Sequence, residues 1–332
     1  MKTLPSPPPA PRPREALTRH RPAGQLRIPC VSGKTTPPHA QSSPGETPSW
    51  VIYCGDARAV LDQMEDASVD CMVTSPPYFW QRDYEAGEQE IGREASIAGF
   101  VGAITDVMAD VRRVLKPTGT AWLNLGDSYY NAKGRPHGSD PKHQARMLAR
   151  RELRAVDGPG LGLPRKSLIG IPWRVALALQ EEGWTLRSDI IWHRKTAMPE
   201  ATSKDRPWRK HEHVFLLVKS VVYHFDRDAL NGEEDVWDIP PERWSATRGD
   251  HFAPYPSELV RRCLVAGCPM GGVVLDPFAG GGTTLAVARD LGLNAIGIDL
   301  SEAFCEVMTK RIRRAALRRV EPATEPVAED AA

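Results

Sequence analysis

The 332-residue chain has little excess charge: 43 Lys and Arg stand against 42 Asp and Glu, a formal net charge of +1. A uniformly basic particle that binds polyanions over its whole surface is thereby excluded, and any nucleic-acid contact must come from local clusters of Lys and Arg. Cysteine is sparse, six in all, and no CxxC pair occurs. Cys54 and Cys71 lie inside apolar runs, so buried thiols are expected rather than a disulfide frame or a zinc site. No apolar run approaches the roughly 20 residues of a membrane span, and the N-terminal stretch lacks the apolar stretch of a secretory signal. An intracellular, cytoplasmic location is the expectation.

What is present sorts into three parts. Residues 1–48 are rich in Pro, Ser, Arg and Thr and include Pro7-Pro8-Pro9. Such a stretch buries too little apolar surface to offset its ordering entropy and reads as a tail. Residues 317–332, rich in Ala, Glu and Pro, read the same way. Between them, 49–316 alternates short apolar runs with helical spacing. Strands are expected near 51–54, 69–73, 120–125, 184–192, 214–222, 273–275 and 295–298. Helices are expected near 57–64, 97–115, 171–182, 256–266, 283–291 and 301–314. Strands separated by helices imply an α/β domain with a mostly parallel sheet covered on both faces. The runs 184–192 and 214–222 lack a helix between them and are expected to pair antiparallel at one edge. Three stretches break the pattern. Residues 131–166 carry many Lys and Arg and read as a basic insertion facing DNA, and 195–250 holds two irregular segments that could share target recognition. There Trp192-His193-Arg194-Lys195 and Trp208-Arg209-Lys210-His211 mix aromatics with cations.

Two motifs carry chemistry. Leu275-Asp276-Pro277-Phe278-Ala279-Gly280-Gly281-Gly282-Thr283-Thr284 joins a strand to a helix. Its glycines permit a tight turn and close approach of a ligand, and the helix start offers free N–H groups. No Lys follows the glycines, so it is not a P-loop. The next strand ends at Asp299, where a carboxylate can accept hydrogen bonds from ribose hydroxyls. The second motif, Thr74-Ser75-Pro76-Pro77-Tyr78, follows an apolar strand. Two prolines remove two donors and stiffen the loop, leaving carbonyl oxygens and the Ser75 hydroxyl to hold an amino group by its hydrogens. Tyr78 supplies a ring for stacking a flipped base. His193, His211, His213 and His224 show no metal-site spacing, and the chemistry calls for no metal.

Together these motifs resemble the DNA amino-methyltransferases in their permuted (beta-type) order, catalytic motif before cofactor motif, over about residues 50–314. The resemblance implies a Rossmann-like S-adenosylmethionine-dependent methyltransferase fold, with S-adenosyl-L-methionine as methyl donor and double-stranded DNA as partner. Ser75, Pro76, Pro77 and Tyr78 become the catalytic set. Asp276, Pro277, Phe278, Ala279, Gly280, Gly282, Thr283 and Asp299 become the cofactor set, joined by Asp56, whose carboxylate would approach the adenine. The segment His251-Phe252-Ala253-Pro254-Tyr255-Pro256 is similar to one that closes the methionine pocket, though the family more often has His-Pro-Thr-x-Lys-Pro. Ser75 where other members carry Asp is the pattern usual in cytosine-N4 enzymes. Asp127 stands either at the pocket rim or in a plain strand-end turn. A cognate restriction endonuclease is a partner the resemblance brings with it. Adenine N6, a catalytically inactive DNA-binding module, and an RNA or protein amino group are the competing readings.

Overall fold

The computed structural model describes residues 36–81, 90–130, 160–196, 203–242 and 255–320. Residues 1–35, 82–89, 131–159, 197–202, 243–254 and 321–332 fall outside them, and with these most of the N-terminal tail, most of the basic insertion and part of each recognition segment.

Among the described residues nine strands form one sheet: β1 (Ala40–Gln41), β2 (Trp50–Cys54), β3 (Val69–Thr74), β4 (Leu115–Leu125), β5 (Thr185–His193), β6 (His211–Val218), β7 (Val236–Asp238), β8 (Val273–Asp276) and β9 (Asn294–Asp299). Their spatial order is β1-β2-β9-β8-β3-β4-β6-β5-β7. The run β2-β9-β8-β3-β4 is parallel throughout. β6 runs antiparallel to both β4 and β5. The expected antiparallel pair is therefore present. It is not the outermost pair, because β7 adds to β5 in parallel.

Among the described residues six α-helices cover the sheet: α1 (Ala57–Leu61), α2 (Ile97–Val114), α3 (Ile171–Glu181), α4 (Ser257–Gly267), α5 (Thr283–Asp290) and α6 (Glu302–Val320). One face buries Leu61, Phe100, Ile104, Val107, Val175 and Leu179 from α1, α2 and α3. The other buries Leu259, Cys263, Leu264, Leu285, Met308 and Ile312 from α4, α5 and α6. In α2 the buried positions Phe100, Ile104, Val107, Met108 and Val111 follow a 3–4 spacing, so one stripe meets the sheet. Each such side chain contributes roughly 1.5–3 kcal/mol by leaving water.

The differences from the sequence reading have local causes. β4 begins at Leu115, the last residue of the expected helix, and runs through what reads as a stop at Lys116-Pro117-Thr118-Gly119. The register jumps from Val69↔Leu115 to Cys71↔Thr120, so Pro117 sits in an irregularity where no ladder donor is needed. β6 starts at His211 and ends at Val218, and Val221 and Val222 lie exposed beyond it. Polar His211-Glu212-His213 hides its first turn of pleat from a hydrophobicity argument. Residues 36–48, read as tail, include β1, which pairs with Val51 and Ile52 of β2. At the other end α6 continues to Val320, past the residue 317 expected to begin the second tail. Among the described residues no helix is long and apolar enough to cross a membrane.

Candidate active site

The parallel strands β2, β9, β8 and β3 all deliver their C-terminal ends to one edge of the sheet, where open α/β sheets hold ligands. A cavity of about 330 Å³ opens there. Ser75, Pro76, Pro77 and Tyr78 line one side of it, and Pro277, Phe278, Ala279, Gly280 and Thr283 line the other, with Asp56 and Asp299. Two motifs some 200 residues apart in sequence thus share one chamber.

Asp276 and Gly282 do not reach the cavity wall; they build it. Asp276 is fully buried and accepts from Thr74 Oγ1 at 2.6 Å, Tyr255 OH at 2.9 Å, Thr284 Oγ1 at 2.5 Å and Phe278 N at 3.1 Å. One carboxylate therefore fastens the end of β3 to the glycine turn and to the Tyr255 segment. Burial raises its pKa despite those four donors. Gly282 sits at φ +73°, and a Cβ there would lie 2.4 Å from Met308 Cγ. Its lack of a side chain serves both the turn and the seating of α6. Gly280, at φ +48°, is different: its Cβ would meet nothing within 4 Å, so the backbone there faces open space.

Asp299 closes the far wall. Its Oδ2 accepts from Gly280 N at 2.8 Å and its Oδ1 from Ser301 N at 2.9 Å. Burial pushes its pKa up to about 6. Each carboxylate oxygen keeps a lone pair for a further donor. Asp56 caps α1, accepting from Ala59 N at 3.0 Å, while also lining the cavity. Phe278, Leu300, Phe304 and Ile91 add apolar surface. A carboxylate with spare acceptor capacity, an open glycine backbone and an apolar wall fit the sugar and base of a nucleoside.

The opposite wall contains a network that the motif reading missed. Tyr78 OH donates to Glu212 Oε2 at 2.5 Å. Asn124 Nδ2 donates to Tyr78 OH at 2.8 Å, Glu212 Oε2 at 3.1 Å and Ser75 Oγ at 3.2 Å. Ser75 Oγ donates to Tyr78 OH at 3.3 Å, and Arg194 Nη1 pairs with Glu212 Oε1 at 3.2 Å. Burial and the Glu212 charge hold the Tyr78 phenol well above its usual range, so it stays a donor. Asn124 comes from β4 and Glu212 from β6, adjacent strands of the sheet. A carboxylate at the head of the apolar run 214–218 is the signal the sequence offers, since a Glu that enters a buried strand needs partners. Asn124 Oδ1 is buried with no partner. Gly126 admits the ring: a Cβ there would lie 2.6 Å from Tyr78 Cε2.

Asp127 belongs to the turn rather than the rim. Its carboxylate accepts from Ser128 N at 2.8 Å, Gly170 N at 3.0 Å and Ile171 N at 3.1 Å, which caps α3. Among the recognition candidates, Trp192 and Arg194 line the cavity and Trp208 is exposed. His213 pairs with Asp189 and stacks on Phe215, and His193 pairs with Asp238. Of the segment from His251, only Tyr255 and Pro256 are described; Tyr255 lines the cavity and also bonds Thr284 Oγ1.

Fold and site together define a Rossmann-like methyltransferase. The solved PvuII DNA methyltransferase, a cytosine-N4-specific enzyme, superposes with a TM-score of 0.61 at 18% identity, covering 81% of this chain and 92% of that one. M1.HpyAVI, solved as its complex with SAM, gives a TM-score of 0.50 at 17% identity over 79% of this chain and 98% of that one. The DNA methylase family model matches residues 69–310. Type II methyltransferase M.Cfr9I of Citrobacter freundii is 40% identical over 282 residues, 82% of this chain and 91% of its own. Type II methyltransferase M.SmaI of Serratia marcescens is 40% identical over 274 residues, 79% and 90% respectively. The chain belongs to the DNA methylase family.

Proposed function

We propose that this DNA methylase transfers a methyl group from S-adenosylmethionine to the exocyclic N4 of a cytosine flipped out of duplex DNA. The observation that carries the reading is the shared chamber: the Ser75–Tyr78 loop faces the Gly280 turn and Asp299 across one cavity. When bound, the sulfonium supplies an activated methyl group. Asp299 would hold its ribose, Asp56 and Phe304 would flank its base, and the open backbone at Gly280 would admit it closely. Asp276 and Gly282 position this wall without touching the ligand.

On the other wall the amino group of the base would meet acceptors. Ser75 Oγ and the carbonyl oxygens of the Pro76-Pro77 loop would be those acceptors, and the buried Asn124 Oδ1, without a partner of its own, belongs to a side chain of the same wall. Pro76 and Pro77 have no N–H to compete. Two acceptors that hold both N–H bonds draw the nitrogen lone pair out of conjugation with the ring and toward the methyl carbon. Proximity and electrostatics then supply the acceleration. Tyr78, held by hydroxyl and by Gly126, presents a fixed ring for stacking.

Cytosine is favoured over adenine because position 75 is Ser, as the family resemblance implies, and because the PvuII enzyme of like fold is cytosine-N4-specific. Adenine N6 is the second reading. Among the described recognition elements, Trp192 stands at the end of β5, and Arg194 at the cavity and exposed Trp208 lie in the connection from β5 to β6. M.Cfr9I and M.SmaI are Type II methyltransferases, so a cognate endonuclease is the expected genetic partner. Incubation with labelled S-adenosylmethionine and mixed-sequence duplex, followed by nucleoside mass analysis, tests the reading. N4-methylcytosine is expected, and no methylated nucleoside would overturn it.

A further inference from the structure

Methylation of an amino nitrogen leaves that nitrogen with one proton too many, and neither the Pro76-Pro77 carbonyls nor a serine hydroxyl is a base strong enough to keep it. The carboxylates described around the cavity are mostly committed elsewhere. Asp276 lies beneath the wall with four donors. Asp299 and Asp56 belong to the nucleoside side, and Glu242 accepts from Ser257 N and Oγ at 2.9 and 2.5 Å. Glu90 also lines the cavity, but Glu212 is the carboxylate that bonds the Ser75–Tyr78 loop directly, accepting from Tyr78 OH and Asn124 Nδ2 and pairing with Arg194.

The hydrogens of this network run one way. Asn124 Nδ2 turns its two hydrogens toward Ser75 Oγ, Tyr78 OH and Glu212 Oε2, one of them shared between two acceptors, an orientation the carboxylate dictates, since a flipped amide would set oxygen against oxygen. Each hydroxyl, having accepted from Asn124, is left to donate onward: Ser75 to Tyr78 at 3.3 Å, Tyr78 to Glu212 at 2.5 Å. The first link is long for two hydroxyls and has to shorten when a base is seated. Arg194 occupies Glu212 Oε1 at 3.2 Å, which leaves Oε2 to the phenol.

We propose that Ser75, Tyr78 and Glu212 form a proton relay that carries the proton released by the methylated amino group away from the base, with Glu212 as its terminus. This rests on the amino-methyltransfer reading above. The amino nitrogen forms its N–CH₃ bond as the S–CH₃ bond breaks and that electron pair returns to sulfur. The nitrogen then yields one proton to Ser75 Oγ, the Ser75 proton passes to Tyr78 OH, and the phenol proton passes to Glu212 Oε2. The products are a neutral methylated amine, a neutral thioether and a protonated Glu212, which later loses its proton to water. Glu212 is thus a positioning and proton-accepting residue that acts through Tyr78, touching neither base nor cofactor.

The test is single-turnover methylation of mixed-sequence duplex DNA by wild type, Glu212→Gln, Glu212→Asp and Tyr78→Phe. Calorimetric S-adenosylmethionine binding and DNA anisotropy are measured on each protein. Gln keeps an acceptor for the phenol and for Arg194 but cannot take the proton. The expected result is a fall of about 100-fold in methyl transfer for Glu212→Gln and Tyr78→Phe, the lower end of general acid–base effects. Both ligands should bind within about threefold of wild type, and Glu212→Asp should recover part of the rate. Tyr78→Phe breaks the chain without altering Glu212, so a poorly folded Gln variant leaves the relay open to refutation. Transfer within about threefold of wild type in either variant, or losses matched by lost binding, would overturn the relay. An inactive wild type would instead sink the methyltransfer reading itself.

Discussion

At the residue scale, Asp299 and Tyr78 should separate cleanly. Asp299→Ala removes the acceptor proposed for the ribose hydroxyls, and its expected effect is at least tenfold weaker S-adenosylmethionine binding by calorimetry, with DNA affinity unchanged. Tyr78→Ala should do the reverse, cutting turnover while leaving cofactor affinity nearly intact. Asp299 also gives the site a pH dependence. Its pKa stands near 6, raised by burial, so it protonates as the pH falls through 6, well before an ordinary carboxylate. The protonated acid loses acceptor capacity, so the dissociation constant for the cofactor should rise as pH is lowered from 8 to 5, with the bend near 6. A flat titration would contradict the ribose role. Gly126→Ala should cost activity through Tyr78 alone: the added methyl falls 2.6 Å from the ring, so turnover should fall at least tenfold while cofactor binding persists.

At the scale of elements, α3 shows how a capping carboxylate can pass for a site residue. Asp127 follows a strand end close to the catalytic wall, yet its three backbone partners make it the clasp that starts α3. Asp127→Ala should lower stability by about 1 kcal/mol, a drop of roughly 2–4 °C in Tm by calorimetry, without weakening cofactor binding. The parallel strands and their helices were legible because each apolar run is bounded by turn chemistry and each helix carries one buried stripe. β7 and the first residues of β6 were not, since three residues at an edge and a polar His-Glu-His start carry no periodic signal. The same blind spot hid Glu212 and the part that Asn124, in the stretch 122–129 similar to the cytosine-N4 members, plays beside it. Their importance comes from lying on adjacent strands of the sheet, 88 residues apart in the chain, and no local motif encodes that meeting. The glycine turn and the Ser75–Tyr78 loop were readable because their function is written in backbone requirements, which sequence states directly.

At the scale of the whole molecule, the order of strands explains why the two motifs need no proximity in sequence. β8, which carries the glycine turn, inserts between β9 and β3, and β3 carries the Ser75–Tyr78 loop. Neighbouring parallel strands bring both loops to one edge whichever comes first along the chain, and the Thr74–Asp276 bond pins them together. On the proposed reading the sheet sets donor against acceptor, and the choice of base falls to the wall built from Ser75, Tyr78 and Asn124. The most direct measurement is nucleoside mass analysis of duplex DNA after incubation with labelled S-adenosylmethionine. N4-methylcytosine is the expected product. N6-methyladenine would contradict the assignment of the base, and cofactor binding without any methylated nucleoside would contradict the catalytic role of the cavity.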